Sequence, residues 1–205
     1  MKIDSAKIQQ RYDRLAPYFD GIEAMMEGLF FRSWRKKLWA SVEGQHILEV
    51  GVGTGKNFDY YPAGASITAI DFSPKMLEQA RRKKTRKQVN VDLELMDVQS
   101  LHYASNSFDT VVCSFVFCSV PAPMKGLKEL HRVCKPGGRV ILLEHVISSN
   151  PVLAGMMNLL NPLVVSLVGA NINRNTVKNV QACGFSHVRV DERSSGIIKL
   201  IVAVK

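Results

Sequence analysis

From about residue 46 onward the chain alternates short, unbroken apolar runs with longer stretches whose apolar residues recur every three or four positions. The runs are His46–Val50, Ser66–Ile70, Val91–Met96, Asp109–Ser114 and Arg139–His145. They are rich in β-branched residues and lack strict in–out alternation. That pattern predicts strands buried on both faces, in a parallel sheet covered by helices. Between them, Ser73-Pro74 sets an N-cap before a proline at the first helical position and opens a helix over Lys75–Lys87. Pro123 opens another, with Met124, Leu127 and Leu130 along one stripe, which stops before the turn chemistry of Lys135-Pro136-Gly137-Gly138. A further helix, Thr176–Cys183, ends at Gly184. The runs His187–Val190 and Ile197–Val204, separated by Ser194-Ser195-Gly196, predict an antiparallel hairpin at the sheet's end. Repeated βα units followed by a hairpin describe a doubly wound α/β fold, whose ligands bind at the carboxyl ends of the strands.

Two segments carry apolar residues that this scheme does not absorb. Ile22, Met26, Leu29, Phe30, Trp34 and Leu38 follow helical spacing, with Arg32, Arg35 and Lys36 set off that stripe. Such a helix either packs as a lid on the domain or lies in a lipid interface with its cations among anionic headgroups. Pro151–Val168 approaches the length of a membrane span, but Asn158, Asn161 and Pro162 interrupt it. It reads as an insertion over the active site that presents apolar walls, or as an ordinary core segment. Residues 1–42 are therefore expected to form a helical lid or membrane-contact segment, and 43–205 the main domain.

Composition adds a bias of charge. Lys and Arg outnumber Asp and Glu by 27 to 18 among 205 residues, a formal +9 that suits a polyanionic neighbour, membrane or nucleic acid. Ten of the basic residues fall in two clusters, Arg32-Arg35-Lys36-Lys37 and Arg81-Arg82-Lys83-Lys84-Arg86-Lys87. The second lies in the last turns of a helix, where cations complement the macrodipole on a solvated end. Cys113, Cys118, Cys134 and Cys183 form neither a CxxC pair nor a cluster with histidine, so reduced thiols and no metal site are expected. Met1-Lys2-Ile3-Asp4 does not open a secretory signal, which points to the cytoplasm.

The strongest chemical signal is Glu49-Val50-Gly51-Val52-Gly53-Thr54-Gly55, a strand that runs into a glycine-rich turn. A Cβ there would block a ligand's approach to the backbone. Asp71 ends the second strand twenty residues after Gly51, where a carboxylate can accept both hydroxyls of a ribose; capping of the next helix is its other use. Asp97 follows the third strand, placed for an exocyclic adenine amine. Three such features at the tips of successive strands indicate a nucleoside-bearing cofactor. The dinucleotide fingerprint would need its third glycine where Lys56 stands, one position after Gly55, which argues against a nicotinamide dinucleotide.

This ordered set resembles the class I S-adenosylmethionine-dependent methyltransferases. It comprises the Glu49-to-Gly55 turn, Asp71, Asp97-Val98, Ser107-Phe108-Asp109 and Leu130-His131-Arg132-Val133-Cys134-Lys135-Pro136-Gly137-Gly138-Arg139. The resemblance implies a Rossmann-like sheet of seven mostly parallel strands with a terminal antiparallel hairpin, plus N-terminal lid helices. It implies S-adenosylmethionine as cofactor, bound by Glu49, Gly51, Gly53, Thr54, Gly55, Asp71, Phe72, Met76, Asp97, Val98 and Ser114. Cys113 and Cys118 read as small core residues. No Asn-Pro-Pro-Tyr or Asp-Pro-Pro-Tyr follows the fourth strand, and neither Cys113 nor Cys118 has a proline before it, so nucleic acid is not the expected acceptor.

Arg11-Tyr12-Asp13-Arg14-Leu15-Ala16-Pro17-Tyr18-Phe19-Asp20 and Arg32-Ser33-Trp34 resemble the N-terminal region of bacterial phosphatidylethanolamine N-methyltransferases. They are similar, less closely, to ubiquinone/menaquinone C-methyltransferases. Leu15-Ala16 in place of Met-Asn, no histidine between Tyr12 and Trp34, and Glu144-His145-Val146 in place of Glu-x-Ser depart from the quinone pattern. The resemblance thus implies methylation of a phospholipid amine, with another lipophilic acceptor (quinol carbon or thiol) and a non-catalytic cofactor- or membrane-binding domain as alternatives. Tyr12, Tyr18 and His145 are the candidate catalytic residues. The expected partners are a lipophilic substrate and an anionic membrane surface, contacted peripherally, with no obligate protein partner.

Overall fold

In the computed structural model, which describes residues 5–26, 31–192 and 196–205, the runs His46–Val50, Ser66–Ile70, Asp109–Ser114 and Arg139–His145 alternate their side chains between two separate cores. Ile47, Ala69, Val112, Ile141 and Leu143 enter one layer. Leu48, Val50, Ile70, Val111, Cys113 and Leu142 enter the other. Both faces of the sheet's centre are thus dry, which is why these runs carry no polar alternation.

The strands are β1 (His46–Val50), β2 (Ser66–Asp71), β3 (Asp92–Leu95), β4 (Phe108–Ser114), β5 (Cys134–His145), β6 (His187–Glu192) and β7 (Ile198–Val204). They form one seven-stranded sheet in the order β3-β2-β1-β4-β5-β7-β6. β1 pairs in parallel with β2 and β4, β2 with β3, and β4 with β5, whereas β7 runs antiparallel to both β5 and β6. The strand order reverses between β1 and β4, which opens a crevice above their carboxyl ends, where doubly wound sheets hold ligands.

The helices are α1 (Ser5–Leu15), α2 (Phe19–Met26), α3 (Arg32–Trp39), α4 (Pro74–Lys87), α5 (Pro123–Val133), α6 (Pro151–Val168) and α7 (Thr176–Gln181). One layer packs Trp34, Leu38 and Trp39 of α3 and Leu77 and Ala80 of α4 on the sheet. The other packs Leu127, Leu130 and Val133 of α5 and Val180 of α7. Ser73 caps α4 as expected, its hydroxyl accepting from Met76 N at 3.1 Å.

Four readings of the sequence change. Lys135–Gly138 lies inside β5 and not in a turn before it: Phe108 pairs with Cys134 and Thr110 with Arg139, so the extra residues bulge out of the β4–β5 ladder. The N-terminal stripe is not one continuous face. Trp34 and Leu38 are core residues, Ile22 is exposed, and Leu29, Phe30 and the side chain of Met26 lie outside the described residues. The basic end of α4 is not simply solvated, because Lys83 is largely buried and pairs with Asp20 of α2 at 2.9 Å. Finally, α6 runs unbroken through Pro162, with Asn158 accepting from Asn173 Nδ2 and Asn161 from Ile172 N. It supplies none of the walls of the cavities described below. No described helix is long and apolar enough to cross a membrane.

Candidate cofactor and acceptor site

The turn after β1 is braced from β2. Gly51 N and Val52 N donate to Ile70 O at 2.8 and 3.0 Å. Gly53 N donates to Asp71 Oδ2 at 2.8 Å, and Ser73 N to Asp71 Oδ1 at 2.9 Å. Asp71 therefore serves both strand tip and helix start, and it is only 6% exposed. Burial pushes its carboxyl up to about 6, against the pull of the backbone N–H groups of Ser73, Gly53 and Phe72.

The glycines of this turn do different work. A Cβ on Gly51 would sit 2.4 Å from Val116 Cγ2, so this position needs bare backbone to pack. A Cβ on Gly53, whose φ is +54°, would meet nothing within 4 Å, because it would project into open space. Gly53→Ala should accordingly keep the fold with a strain of about 1–2 kcal/mol, yet weaken binding of the expected cofactor by roughly tenfold or more. Gly51→Ala should instead lower the melting temperature first. Thermal unfolding and titration calorimetry on the pair would separate the two effects.

Two cavities meet over this turn and share Gly51, Asp71, Phe72, Val116 and Ser119. The smaller runs along Val50, Ile70, Met96, Asp97, Val98 and Val120. The larger is walled by Tyr12, Phe19, Phe31, Arg35, Gly53, Thr54, Met76, Ser114, Phe115 and His145, among others. Of the residues expected to bind cofactor, Gly51, Gly53, Thr54, Asp71, Phe72, Met76, Asp97, Val98 and Ser114 line this cleft. Glu49 and Gly55 are not among its walls. Glu49 is wholly buried behind it, accepting from Tyr61 OH and from Asn57 Nδ2 (2.5 Å), and Gly55 faces the ring of Phe58. Of the candidate catalytic residues, Tyr12 and His145 reach the larger cavity, whereas Tyr18 is 70% exposed and does not.

The N-terminal helices close the cleft through polar contacts to the strand tips. Gln9 Nε2 donates to Phe72 O at 2.7 Å, and Ser73 Oγ to Asp13 at 2.6 Å. Thr54 Oγ1 donates to Asp20 at 2.5 Å. Asp97 is tied locally, accepting from Gln99 N at 2.8 Å and from the Gln99 amide.

Arg35 and Phe115 were not singled out from the sequence as site residues. Arg35, assigned to a lipid-facing flank, is 3% exposed and points into the cleft, donating to Asn57 Oδ1 (3.0 Å) and Ser114 Oγ (3.2 Å). Its i+3 and i+4 neighbours, Leu38 and Trp39, are apolar, and that spacing was the available signal. Phe115 takes φ +57°, a strained value for a large residue at a strand end. Its ring lies 4.7 Å from that of Phe31 and 5.7 Å from the Arg35 guanidinium carbon. Burial lowers the pKa of His145 against a hydrogen bond with the Ile172 backbone, and its Nδ1 has no hydrogen-bond partner among the described residues.

Fold and cleft together define a doubly wound domain that holds a nucleoside-bearing ligand across a strand-order reversal. Comparison with known proteins makes this specific. Residues 48–142 match the Methyltransf_11 family, described as a methyltransferase domain. The chain is 34% identical over 148 residues to the ubiquinone/menaquinone biosynthesis C-methyltransferase UbiE of Geotalea daltonii, covering 67% of this chain and 63% of that protein. It is 34% identical over 154 residues to the thiol S-methyltransferase TMT1B of Rattus norvegicus (71% and 62%). To a phosphatidylethanolamine N-methyltransferase of Cereibacter sphaeroides it is 36% identical over 149 residues (71% and 70%). The matched segment thus spans less than two thirds of the first two relatives' own length. Among solved structures, an S-adenosylmethionine-dependent methyltransferase of Thermotoga maritima shares the fold, with a TM-score of 0.76 at 18% identity over 96% of this chain and 99% of that one. The chain belongs to the S-adenosylmethionine-dependent methyltransferases, and its cofactor is S-adenosylmethionine. The cleft fits it: open space over Gly53, a buried carboxylate at Asp71 and a half-buried one at Asp97 stand where backbone approach and polar recognition are needed.

Proposed function

We propose that this chain methylates the amino nitrogen of a phosphatidylethanolamine headgroup at a membrane surface. The observation that carries the reading is the chemistry of the larger cavity, where a buried guanidinium, Arg35, stands among Tyr12, Phe31 and Phe115. An ethanolamine phosphate offers an anion for Arg35 and a cation that aromatic faces and hydroxyls attract. The similarity to the Cereibacter sphaeroides enzyme, which is named for this substrate, supports it.

The bound cofactor supplies an activated methyl group. In this reading Asp71 accepts from the ribose hydroxyls, and Asp97 with the Val98 backbone receives the adenine amine. Phe72 and Met76 flank the adenosine, while the glycine turn, Thr54 and Ser114 hold the methionine part. Tyr12 orients the amine, and the His145 ring at the cavity wall accepts its proton before attack. The walls align nucleophile and methyl carbon and keep water out.

The deciding experiment is methyl transfer from labelled S-adenosylmethionine into vesicles with and without phosphatidylethanolamine, followed by separation of the lipids. Label in methylated headgroups is the expected result. Unlabelled lipid with intact cofactor binding would overturn the reading, and parallel reactions with a quinol and an alkyl thiol would identify the class that replaces it. Arg35→Met should lower kcat/KM for the lipid by roughly 10- to 100-fold, as loss of a charged hydrogen bond implies. Its S-adenosylmethionine affinity should change much less, and Arg35→Lys should recover part of the rate.

A further inference from the structure

α6 is a predominantly apolar helix with an unusual outer face. Val152, Met156, Leu159, Leu160, Leu163 and Leu167 are all exposed and recur at the spacing of one helical stripe, with Leu159 81% and Leu163 58% exposed. The 18 residues of the helix contain no charged side chain. At 1.5 Å per residue it is about 27 Å long, enough to lie along a bilayer surface. Contiguous exposed apolar faces of this kind mark a partner or a membrane.

Charge beside the helix selects between them. The carboxyl-terminal part of α6 rests on α1, where Arg11 Nη1 donates to Val165 O. Lys7 and Arg14, one turn to either side of Arg11, are exposed. An uncharged apolar stripe on a chain of formal charge +9 is complementary to anionic headgroups over acyl chains. A second copy of this chain would instead bring the same excess of positive charge.

The inner side of α6 is connected to the cleft. Asn161 Oδ1 accepts from Ile172 N at 2.9 Å, and Asn171 N and Nδ2 donate to Cys118 O at 2.8 and 3.1 Å. Cys118 belongs to the wall of the larger cavity, and α1, which contacts α6 through Arg11, contributes Tyr12 to that same cavity. A membrane lying on α6 is therefore close to the acceptor end of the cleft.

We propose that the exposed face of α6, aided by the exposed Lys7 and Arg14 of the adjoining α1, docks this protein on an anionic lipid bilayer. The proposal deepens the phospholipid reading and rests on it only for the identity of the lipid that is methylated. It is tested by flotation of the full chain with vesicles of phosphatidylcholine alone or with phosphatidylglycerol, each with and without phosphatidylethanolamine. The wild type should float with phosphatidylglycerol vesicles whether or not phosphatidylethanolamine is present. Leu159→Glu/Leu163→Glu should reduce the bound fraction at least tenfold, with melting temperature and S-adenosylmethionine affinity unchanged because both side chains are exposed. Lys7→Glu/Arg14→Glu should erase the preference for anionic vesicles.

Failure of the wild type to float, or equal flotation of the leucine variant, would overturn the docking face. So would a dimer by light scattering that the leucine variant dissociates while vesicles bind neither form. Flotation that depends on α6, without methylation of phosphatidylethanolamine, would leave docking standing and overturn only the choice of acceptor.

Discussion

Replacing Asp71 with alanine should raise the dissociation constant for S-adenosylmethionine by about 100-fold or more, because two effects act together. In the proposed binding mode the carboxylate accepts two ribose hydroxyls, and hydrogen bonds to a charged acceptor contribute about 1.5–3 kcal/mol each, so losing one alone accounts for roughly 10- to 150-fold. The same carboxylate accepts from Gly53 N and Ser73 N, so alanine also releases the turn that the cofactor must approach. Calorimetry would measure the affinity, and near-ultraviolet circular dichroism would establish that the variant is folded. An unchanged affinity would reduce Asp71 to a brace between turn and helix.

The pH dependence gives a second signature with a definite sign. Burial holds the Asp71 carboxyl at about 6, above its ordinary value of 3.8, so the folded protein binds this proton more tightly than the unfolded chain does. Acidification through pH 6 therefore adds stability through this group. It should weaken cofactor binding over the same range, because the protonated acid loses an acceptor. Opposite movements of stability and affinity below about pH 6.5, with the affinity change flattened in Asp71→Ala, are the expected pattern. Asp109 does not contribute in that window: its hydrogen bond from Lys135, with further ones from His46 and Gln45 N–H, holds its carboxyl far below the usual range.

The parts of this site that sequence alone exposes are those that act through backbone geometry at strand ends. Gly51, Gly53, Asp71 and Asp97 follow apolar runs so strongly patterned that the strand tips can be located without coordinates, and they converge on one cleft. Arg35 was misplaced because local spacing cannot tell a cation beside an apolar stripe from one turned inward to Asn57 and Ser114, 22 and 79 residues away. Pro136, Gly137 and Gly138 looked like a turn because their chemistry is that of a turn. The long-range pairing of Cys134 with Phe108 and Arg139 with Thr110 absorbs them as a bulge. The length and apolarity of α6 were plain, but burial against sheet or cleft and exposure to a membrane leave the same composition. Only its neighbours in space show that one side meets residues 171–173 and the other is exposed.

Glu144 carries the second large effect, and it acts on the cleft from behind. Its side chain is wholly buried at the end of β5, and Oε1 accepts from Val116 N at 2.9 Å and Phe117 N at 3.1 Å. Those two residues belong to the segment after the strained Phe115, and Val116 and Ser119 line both cavities. Glu144→Ala would leave two buried N–H groups without an acceptor and open a void, a loss of about 3–5 kcal/mol from known costs of each. Cofactor affinity should fall with it, since the wall shared by both cavities would lose its anchor. Glu144→Gln keeps Oε1 for both donors and replaces Oε2, which has no hydrogen-bond partner among the described residues, so most of that loss should be recovered. Burial raises the carboxyl to about 7 from an ordinary 4.5, so the wild type gives up stability through this group as pH rises through 7. Urea unfolding at pH 6 and pH 8 should show a smaller drop for the glutamine variant than for the wild type, with alanine far below both. An alanine variant as stable as the wild type would mean that water, and not Glu144, satisfies those two amides.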